Sequence, residues 1–354
     1  MMLVNLTFKK FPANTADTIY VRELSKGFCC VLNTKFLLVV GNDASDELRE
    51  IPHRAIEFKR VLTRTVYYFF YIPLLFLKLR RWSRETIVFF SNDHFLLASQ
   101  LIWRKVFRLP YKVCADWHMF TQNWKDGFIA TYADVHITTT EHLRKQIVRE
   151  LGANQDDVYT VYGGINEQHY VNGTPKTSLR ETLGLPQSKT LIGYIGFFRT
   201  LGLEKGIDIM INSLKFLENE NATMVFVGGL ANEIEYYKIL AENTGVIDRC
   251  VFIGRIPFEK VSEYERAMDI LVIPYPDTPH FRKYGFPMKT YEYMASGTPI
   301  IYSNLPIIDE VMREYGFSFS AGDSQSLSDT VRHVLTDRTA GRELAQKAKA
   351  RAHN

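Results

Sequence analysis

The sequence lacks the short signatures by which many nucleotide-handling proteins can be told apart. It has no Gly-x-x-x-x-Gly-Lys loop and no Gly-x-Gly-x-x-Gly fingerprint, which argues against a P-loop nucleotide triphosphatase and a dinucleotide dehydrogenase. No Asp-x-Asp triplet occurs, so the paired carboxylates that hold a divalent cation are missing and no metal is expected. Only four cysteines are present, Cys29, Cys30, Cys114 and Cys250. They show no zinc-ligand spacing and sit mostly in apolar runs, so they read as reduced core residues. Residues 1–6 have neither the basic start nor the cleavage site of a secretory signal, and a cytosolic address is the expectation. Low-complexity tracts and short repeats are also absent.

What is there is a pattern of alternation. Apolar or β-branched runs at 2–8, 36–40, 86–90, 111–115, 135–138 and 158–161 alternate with longer helical patterns, and the rhythm resumes at 190–195, 223–227, 251–253, 270–273, 299–302 and 317–320. Such alternation predicts an α/β protein with parallel sheets covered by helices. A chain of 354 residues exceeds one hydrophobic core. Two sets of six strands therefore predict two Rossmann-like domains, 1–171 and 172–354, facing each other across a cleft. On open parallel sheets, ligands bind beyond the carboxyl ends of the strands, so the loops there are expected to carry the chemistry.

The formal charge of +4 is too small to imply nucleic acid, but it is unevenly spread. Residues 1–170 hold 22 Lys and Arg against 17 Asp and Glu, and the remainder 21 against 22. The excess includes Lys78, Arg80, Arg81 and Arg84, then Arg104, Lys105, Arg108 and Lys112. This is either an ordinary solvated face or one that meets an anionic lipid or acceptor. The most hydrophobic run, 66–77, is followed by Lys78, Arg80, Arg81 and Trp82. It is shorter than the ~20 residues that span a bilayer. It reads either as a buried helix or, over 66–84, as an interfacial element giving peripheral membrane contact.

The strongest chemical signal is the run from Pro287 to Ile301, with Lys289, Thr290 and Glu292 inside it, which reads as loop, short helix, glycine stop at Gly297 and buried strand. Amides at the helix start suit a diphosphate, with Lys289 adding a point charge. A carboxylate at Glu292 suits a vicinal diol such as that of a ribose. The second signal runs from Gly193 to Asp208 and places Arg199 beyond one strand and Lys205 at the start of the next helix. Two cations on adjacent loops can neutralise a pyrophosphate leaving group.

These runs, together with Phe226-Val227-Gly228-Gly229, Val251-Phe252-Ile253-Gly254 and the segment from Ala267 to Pro274, occur in the order found in the retaining glycosyltransferases of family 4, also called the glycosyl transferases group 1. The chain resembles that family over most of its length. The resemblance implies a GT-B architecture, a metal-independent reaction and a nucleotide-sugar partner, linked to UDP or GDP, with no cofactor. It implies that Arg199 and Lys205 hold the donor phosphates, that Glu292 contacts the ribose, and that Gly254 and Arg255 lie beside the base. Many members carry a glutamate that touches the donor sugar eight residues before the ribose-binding one; here that position is Tyr284. The resemblance places His118, at the end of a predicted strand, near the donor sugar. A lone histidine beside aromatics is otherwise a packed structural residue. Many members have a glycine-rich turn after the first strand, where this chain has the Phe11 to Thr15 segment, so no phosphate role is carried there. Thr140 reads as a helix cap.

The expected activity is transfer of a sugar from a nucleotide-diphosphate donor to a glycan or lipid-linked acceptor, in polysaccharide or glycolipid synthesis. The catalytic set is His118, Arg199 and Lys205, and the donor set adds Gly254, Arg255, Tyr284, Lys289, Thr290 and Glu292. Two alternatives stay open. A nucleotide-sugar epimerase would make a new sugar isomer from the donor alone, and a non-catalytic sugar- or nucleotide-binding relative would bind a nucleoside diphosphate without turnover.

Overall fold

The computed structural model describes residues 1–354 except 13–14, 32–34, 44–45, 57–60, 83, 172, 201 and 354, and omits the side chains of 16, 31, 61–64 and 82. The chain divides into two units, Met1–Tyr162 and Gly163–Asn354. The expected junction at Asn172, and Ala13 and Asn14 of the Phe11 to Thr15 segment, lie outside the described residues.

Unit 1 is built on seven parallel strands: β1 Met2–Leu6, β2 Lys35–Val40, β3 His53–Ala55, β4 Ile87–Ser91, β5 Lys112–Trp117, β6 Val135–Thr138 and β7 Val158–Thr160. They lie in the order β3-β2-β1-β4-β5-β6-β7. The interleaved helices are α1 Ala16–Val31, α2 Val61–Trp82, α3 His94–Phe107, α4 Trp124–Tyr132 and α5 Glu141–Leu151. All six expected strands form. The exposed β3 was not expected, because His53-Arg54-Ala55 has no apolar period and is a strand only through its pairing with β2. Side chains fix the helix starts: Asp93 accepts from the amides of Phe95 and Leu96, and Thr140 accepts from that of Leu143, as a cap should.

Helix α2 is buried along only part of its surface, so the reading of 66–77 as a wholly buried helix does not hold. Tyr68, Tyr71, Ile72, Leu75 and Phe76 are buried, while Val66, Phe70, Leu74 and Leu77 are exposed. No helix among the described residues is long and apolar enough to cross a membrane.

Unit 2 repeats the winding with six parallel strands: β8 Thr190–Ile195, β9 Ala222–Gly229, β10 Cys250–Gly254, β11 Ile270–Ile273, β12 Ile300–Ser303 and β13 Phe317–Phe319. Their order is β10-β9-β8-β11-β12-β13. Both sheets thus start three strands in, run outward, then reverse, which is the Rossmann-like order. Every residue of β9 is buried, as a central parallel strand covered on both faces requires. The helices that matter below are α6 Lys176–Thr182, α7 Ile207–Ser213, α8 Ala231–Thr244, α9 Val261–Ala267, α10 Pro279–Lys283 and α11 Lys289–Ser296. Helix α11 ends at Gly297 with φ +70°, the left-handed stop that the sequence predicts.

The cysteines correct one expectation. All four are free, but only Cys114 is buried; Cys29 and Cys250 are half-buried and Cys30 is exposed. Cys30 lies near the end of α1, where an apolar run in sequence does not face the core.

Candidate functional site

Because every pairing in the unit 2 sheet is parallel, the carboxyl ends of its strands share one edge. Along that edge emerge Gly196 and Phe197 after β8, Gly228 and Gly229 ending β9, Gly254 and Arg255 at the end of β10, and Pro274 and Tyr275 after β11. The strand order reverses between β8 and β11, and such a switch point is where open α/β sheets bind ligands.

Two lysines meet there. Lys289, at the first position of α11, is buried; its ammonium lies 3.6 Å from the centre of the Tyr194 ring and 5.8 Å from that of Tyr275, and has no hydrogen-bond partner. Lys205 lies 4.5 Å from the same Tyr275 ring and 4.7 Å from that of Phe281. Aromatic faces attract cations, but they do not neutralise them. Burial pushes the Lys205 pKa down to about 8. Burial, reinforced by the charge of Lys205, holds Lys289 well below the usual lysine value. Glu292 follows one turn along α11; burial raises its pKa and the Lys289 charge partly opposes that. Space for Lys289 is made by Gly196, at φ +144°: a Cβ there would meet the lysine nitrogen at 2.5 Å.

Arg199 and Lys205 were expected on adjacent loops. They belong instead to one β-hairpin, in which Arg199–Thr200 pairs with Leu203–Glu204, and Lys205 follows directly. The Arg199 guanidinium donates to Glu204 and lies 5.2 Å from the Tyr236 ring centre, so its charge is already partnered. Arg255, exposed, lies 4.4 Å over the Phe197 ring beside Gly254. Thr290 is fully buried and its hydroxyl has no hydrogen-bond partner. The amides at the start of α11 were expected to face a diphosphate, but those of Thr290 and Tyr291 donate to the carbonyls of Pro287 and Met288. The tight first turn consumes them. Tyr284 closes α10, its ring 6.4 Å from that of His280, and the Lys205 charge reaches the same histidine.

His118 belongs to unit 1. Its Nε2 lies 3.1 Å from Asp116 Oδ2, an oxygen that also accepts from the Tyr20 hydroxyl at 2.9 Å. Burial works against a charged ring, but the carboxylates of Asp116 and Asp17 outweigh it, and the His118 pKa lies above the ordinary histidine value. Asp116 is buried, and its other oxygen has no hydrogen-bond partner.

Four residues escaped the sequence reading. Tyr275 joins the two lysines, and its place directly after the β11 run was the available signal. Tyr293, on α11, anchors that helix to β8 by accepting from the amide of Ile195 and donating to its carbonyl. Glu265, on α9, is fully buried and accepts from the Tyr170 hydroxyl at 2.9 Å through one oxygen, while the other has no partner. Asp116 stands two residues before His118, a spacing that suggests a shared strand face. Among the described residues, no group of three or more His, Cys, Asp or Glu is arranged to hold a metal ion.

Comparison with known proteins gives this edge a context. The chain is 26% identical over 217 residues to an uncharacterized glycosyltransferase of Methanocaldococcus jannaschii, covering 59% of this chain and 53% of that protein. It is 22% identical over 193 residues to a putative teichuronic acid biosynthesis glycosyltransferase of Bacillus subtilis, covering 54% and 45%. The chain thus spans about half the length of the curated relatives it matches. Among solved structures, a glycosyltransferase from Rickettsia africae superposes with a TM-score of 0.79 at 12% identity, covering 100% of this chain and 93% of that one. Anabaena HepE in complex with UDP superposes with a TM-score of 0.76 at 18% identity, covering 99% and 94%. These likenesses establish the GT-B fold. The family model for glycosyl transferases group 1 matches residues 175–353, half of the chain and nearly all of unit 2. The chain belongs to the glycosyl transferases group 1 family.

Proposed function

We propose that the chain moves a sugar from a nucleotide-diphosphate sugar to a glycan or lipid-linked acceptor, with retention of anomeric configuration and without a metal ion, as in family 4. The observation that carries this reading is the pair Lys205, half-buried, and Lys289, buried, on one tyrosine ring, with no ion pair to either among the described residues. Burial outweighs the favourable charges of Glu292 and Glu265 at Lys289, and an anionic group between the lysines would offset that cost. A diphosphate fits, with Glu292 accepting from the ribose diol, Thr290 offering a hydroxyl, and Gly254 and Arg255 near the base. HepE, whose fold the chain shares, has been solved with UDP and with UDP-glucose, which favours uridine over guanosine in the donor.

In the proposed step the acceptor oxygen bonds to the anomeric carbon, and the bond from that carbon to the diphosphate breaks on the same face. The acceptor's proton passes to the departing phosphate. Lys205 and Lys289 take up the developing negative charge, with Arg199 shared between the phosphates and its partner Glu204; the family resemblance gives His118 a role toward the donor sugar. Unit 2 binds the donor and unit 1 selects the acceptor. Four free thiols fit a cytoplasmic setting.

Arg199→Ala and Glu292→Ala, measured separately for donor hydrolysis or transfer, test the site; wild-type turnover in both removes it. A second reading, a binding relative without turnover, draws on Tyr284 standing where a sugar-contacting glutamate is common. Binding of a nucleoside diphosphate with no turnover on any acceptor pool would favour it.

A further inference from the structure

Unit 1 carries an exposed apolar face that the sugar-transfer reading leaves unused. On α2, Val66, Phe70, Leu74 and Leu77 are 51%, 54%, 63% and 52% exposed. Steps of four, four and three residues align them on one side of the helix, where a surface helix ordinarily places polar groups. The strip continues onto α3, which packs beside α2. The Phe70 ring lies 5.7 Å from that of Trp103, and Trp103 stacks at 5.2 Å on Phe107, itself 58% exposed. The Trp103 indole donates to the Phe69 carbonyl at 2.6 Å, which ties the two helices together and uses up the indole's polar end within the protein. The strip is therefore fixed by the fold on two elements.

The two helices that carry this strip bear charge of one sign only. Neither α2 nor α3 contains an Asp or Glu. Arg80 and Arg81 lie in the last turn of α2, and Arg104, Lys105 and Arg108 at the end of α3. Arg104 is held by Asp134. Arg80, Arg81, Lys105 and Arg108 make no ion pair among the described residues.

We propose that this face of unit 1 docks on a bilayer containing anionic phospholipid, with Phe70 and Leu74 entering the acyl boundary and the basic ends of α2 and α3 meeting the phosphates. A monotopic seat of this kind needs an apolar strip and adjacent cations, and both are present. Charge complementarity selects lipid over a second copy of the chain: a two-fold contact through the same patch would set the cations of one copy against those of the other. The inference does not depend on the donor site in unit 2.

The test is co-sedimentation of the full chain with vesicles of phosphatidylcholine alone and with vesicles that also contain phosphatidylglycerol. Binding is expected to the mixed vesicles, at least ~10-fold weaker to phosphatidylcholine and weakened again by salt. The double variant Phe70→Ser, Leu74→Ser is expected to lose binding to both, and Arg81→Glu, Arg108→Glu to lose the preference for the anionic lipid. All four positions are exposed, so unchanged thermal unfolding serves as the folding control. Wild-type protein that stays in the supernatant with the mixed vesicles overturns the proposal. So does wild-type binding by both variants, or a dimer in solution that the Phe70→Ser, Leu74→Ser variant dissociates, since a second copy would then cover the strip.

Discussion

The ammonium of Lys289 sits 3.6 Å from the centre of the Tyr194 ring, buried and without a hydrogen-bond partner. A lysine so placed destabilises the free protein, and that cost is its signature as a binding group. Lys289→Met keeps the volume and removes the charge. It is expected to raise the stability of the ligand-free chain by ~1–3 kcal/mol while weakening nucleoside diphosphate binding at least ~10-fold. Thermal unfolding with and without UDP measures both. A variant that is less stable than wild type and binds UDP equally well would make Lys289 an ordinary packed residue.

The Lys205 pKa of about 8 gives the donor site a pH dependence. Below that value the lysine is charged and attracts the diphosphate; above it the free protein must take up a proton to bind. The Kd for UDP is expected to be nearly flat below about pH 7 and to rise by up to roughly tenfold per pH unit above about 8. Lys205→Arg, which stays charged, should bind with a flatter profile. Calorimetry in buffers of different ionisation enthalpy reports the same proton uptake. No proton uptake and a pH-independent Kd for wild type would count against Lys205 as a phosphate contact.

Gly196 separates packing from chemistry at the same place. At φ +144° with the lysine nitrogen 2.5 Å from where a Cβ would sit, alanine is strained and also displaces Lys289. Gly196→Ala is expected to cost ~1–3 kcal/mol and to weaken UDP binding beyond what lost stability explains. The double variant Gly196→Ala, Lys289→Met tests the coupling. Its binding loss should be no greater than that of Lys289→Met alone, because the displaced group is already gone.

In unit 1, Asp116 orients His118, and the hydrogen bond can be measured without knowing the substrate. The buried carboxylate and nearby Asp17 raise the histidine pKa. Asp116→Asn keeps the shape and removes one charge, so the His118 pKa is expected to fall while the fold persists. Titration of the His118 ring by NMR reads this directly; an unchanged pKa would show that Asp116 does not control the ring.

How much of this was legible in the sequence depends on how local each relationship is. Lys289 and Glu292 are three residues apart on one helical turn, and the apolar runs that became β8, β9 and β11 each announce a strand by themselves. The fold therefore follows from local pattern, apart from β3, whose His-Arg-Ala becomes a strand only by pairing. Tyr275 and Glu265 were not legible, because their meaning comes from residues distant in the chain: the first from two lysines, one following the hairpin and one opening α11, the second from Tyr170. The partnering of Arg199 by Glu204 was hidden for a related reason, since the hairpin that creates it has only two residues in each arm.

Glu265 offers the sharpest test of how the charges beneath the site are balanced. It is fully buried; burial and the neighbouring Glu292 raise its pKa well above the usual carboxylate value. A carboxyl whose folded pKa exceeds its unfolded value binds a proton more tightly when folded, so the fold gains stability as pH falls from the folded pKa toward the unfolded one. Glu265→Gln preserves the bond from Tyr170 and carries no charge. It is expected to be more stable than wild type at about pH 8, with the difference shrinking toward about pH 4. Urea unfolding at several pH values measures this. If Glu265 is instead ionised and serves as the counter-charge of Lys289, the glutamine variant will be less stable at pH 8, the lysine will be left uncompensated, and the anionic ligand inferred for it will have a competitor inside the protein.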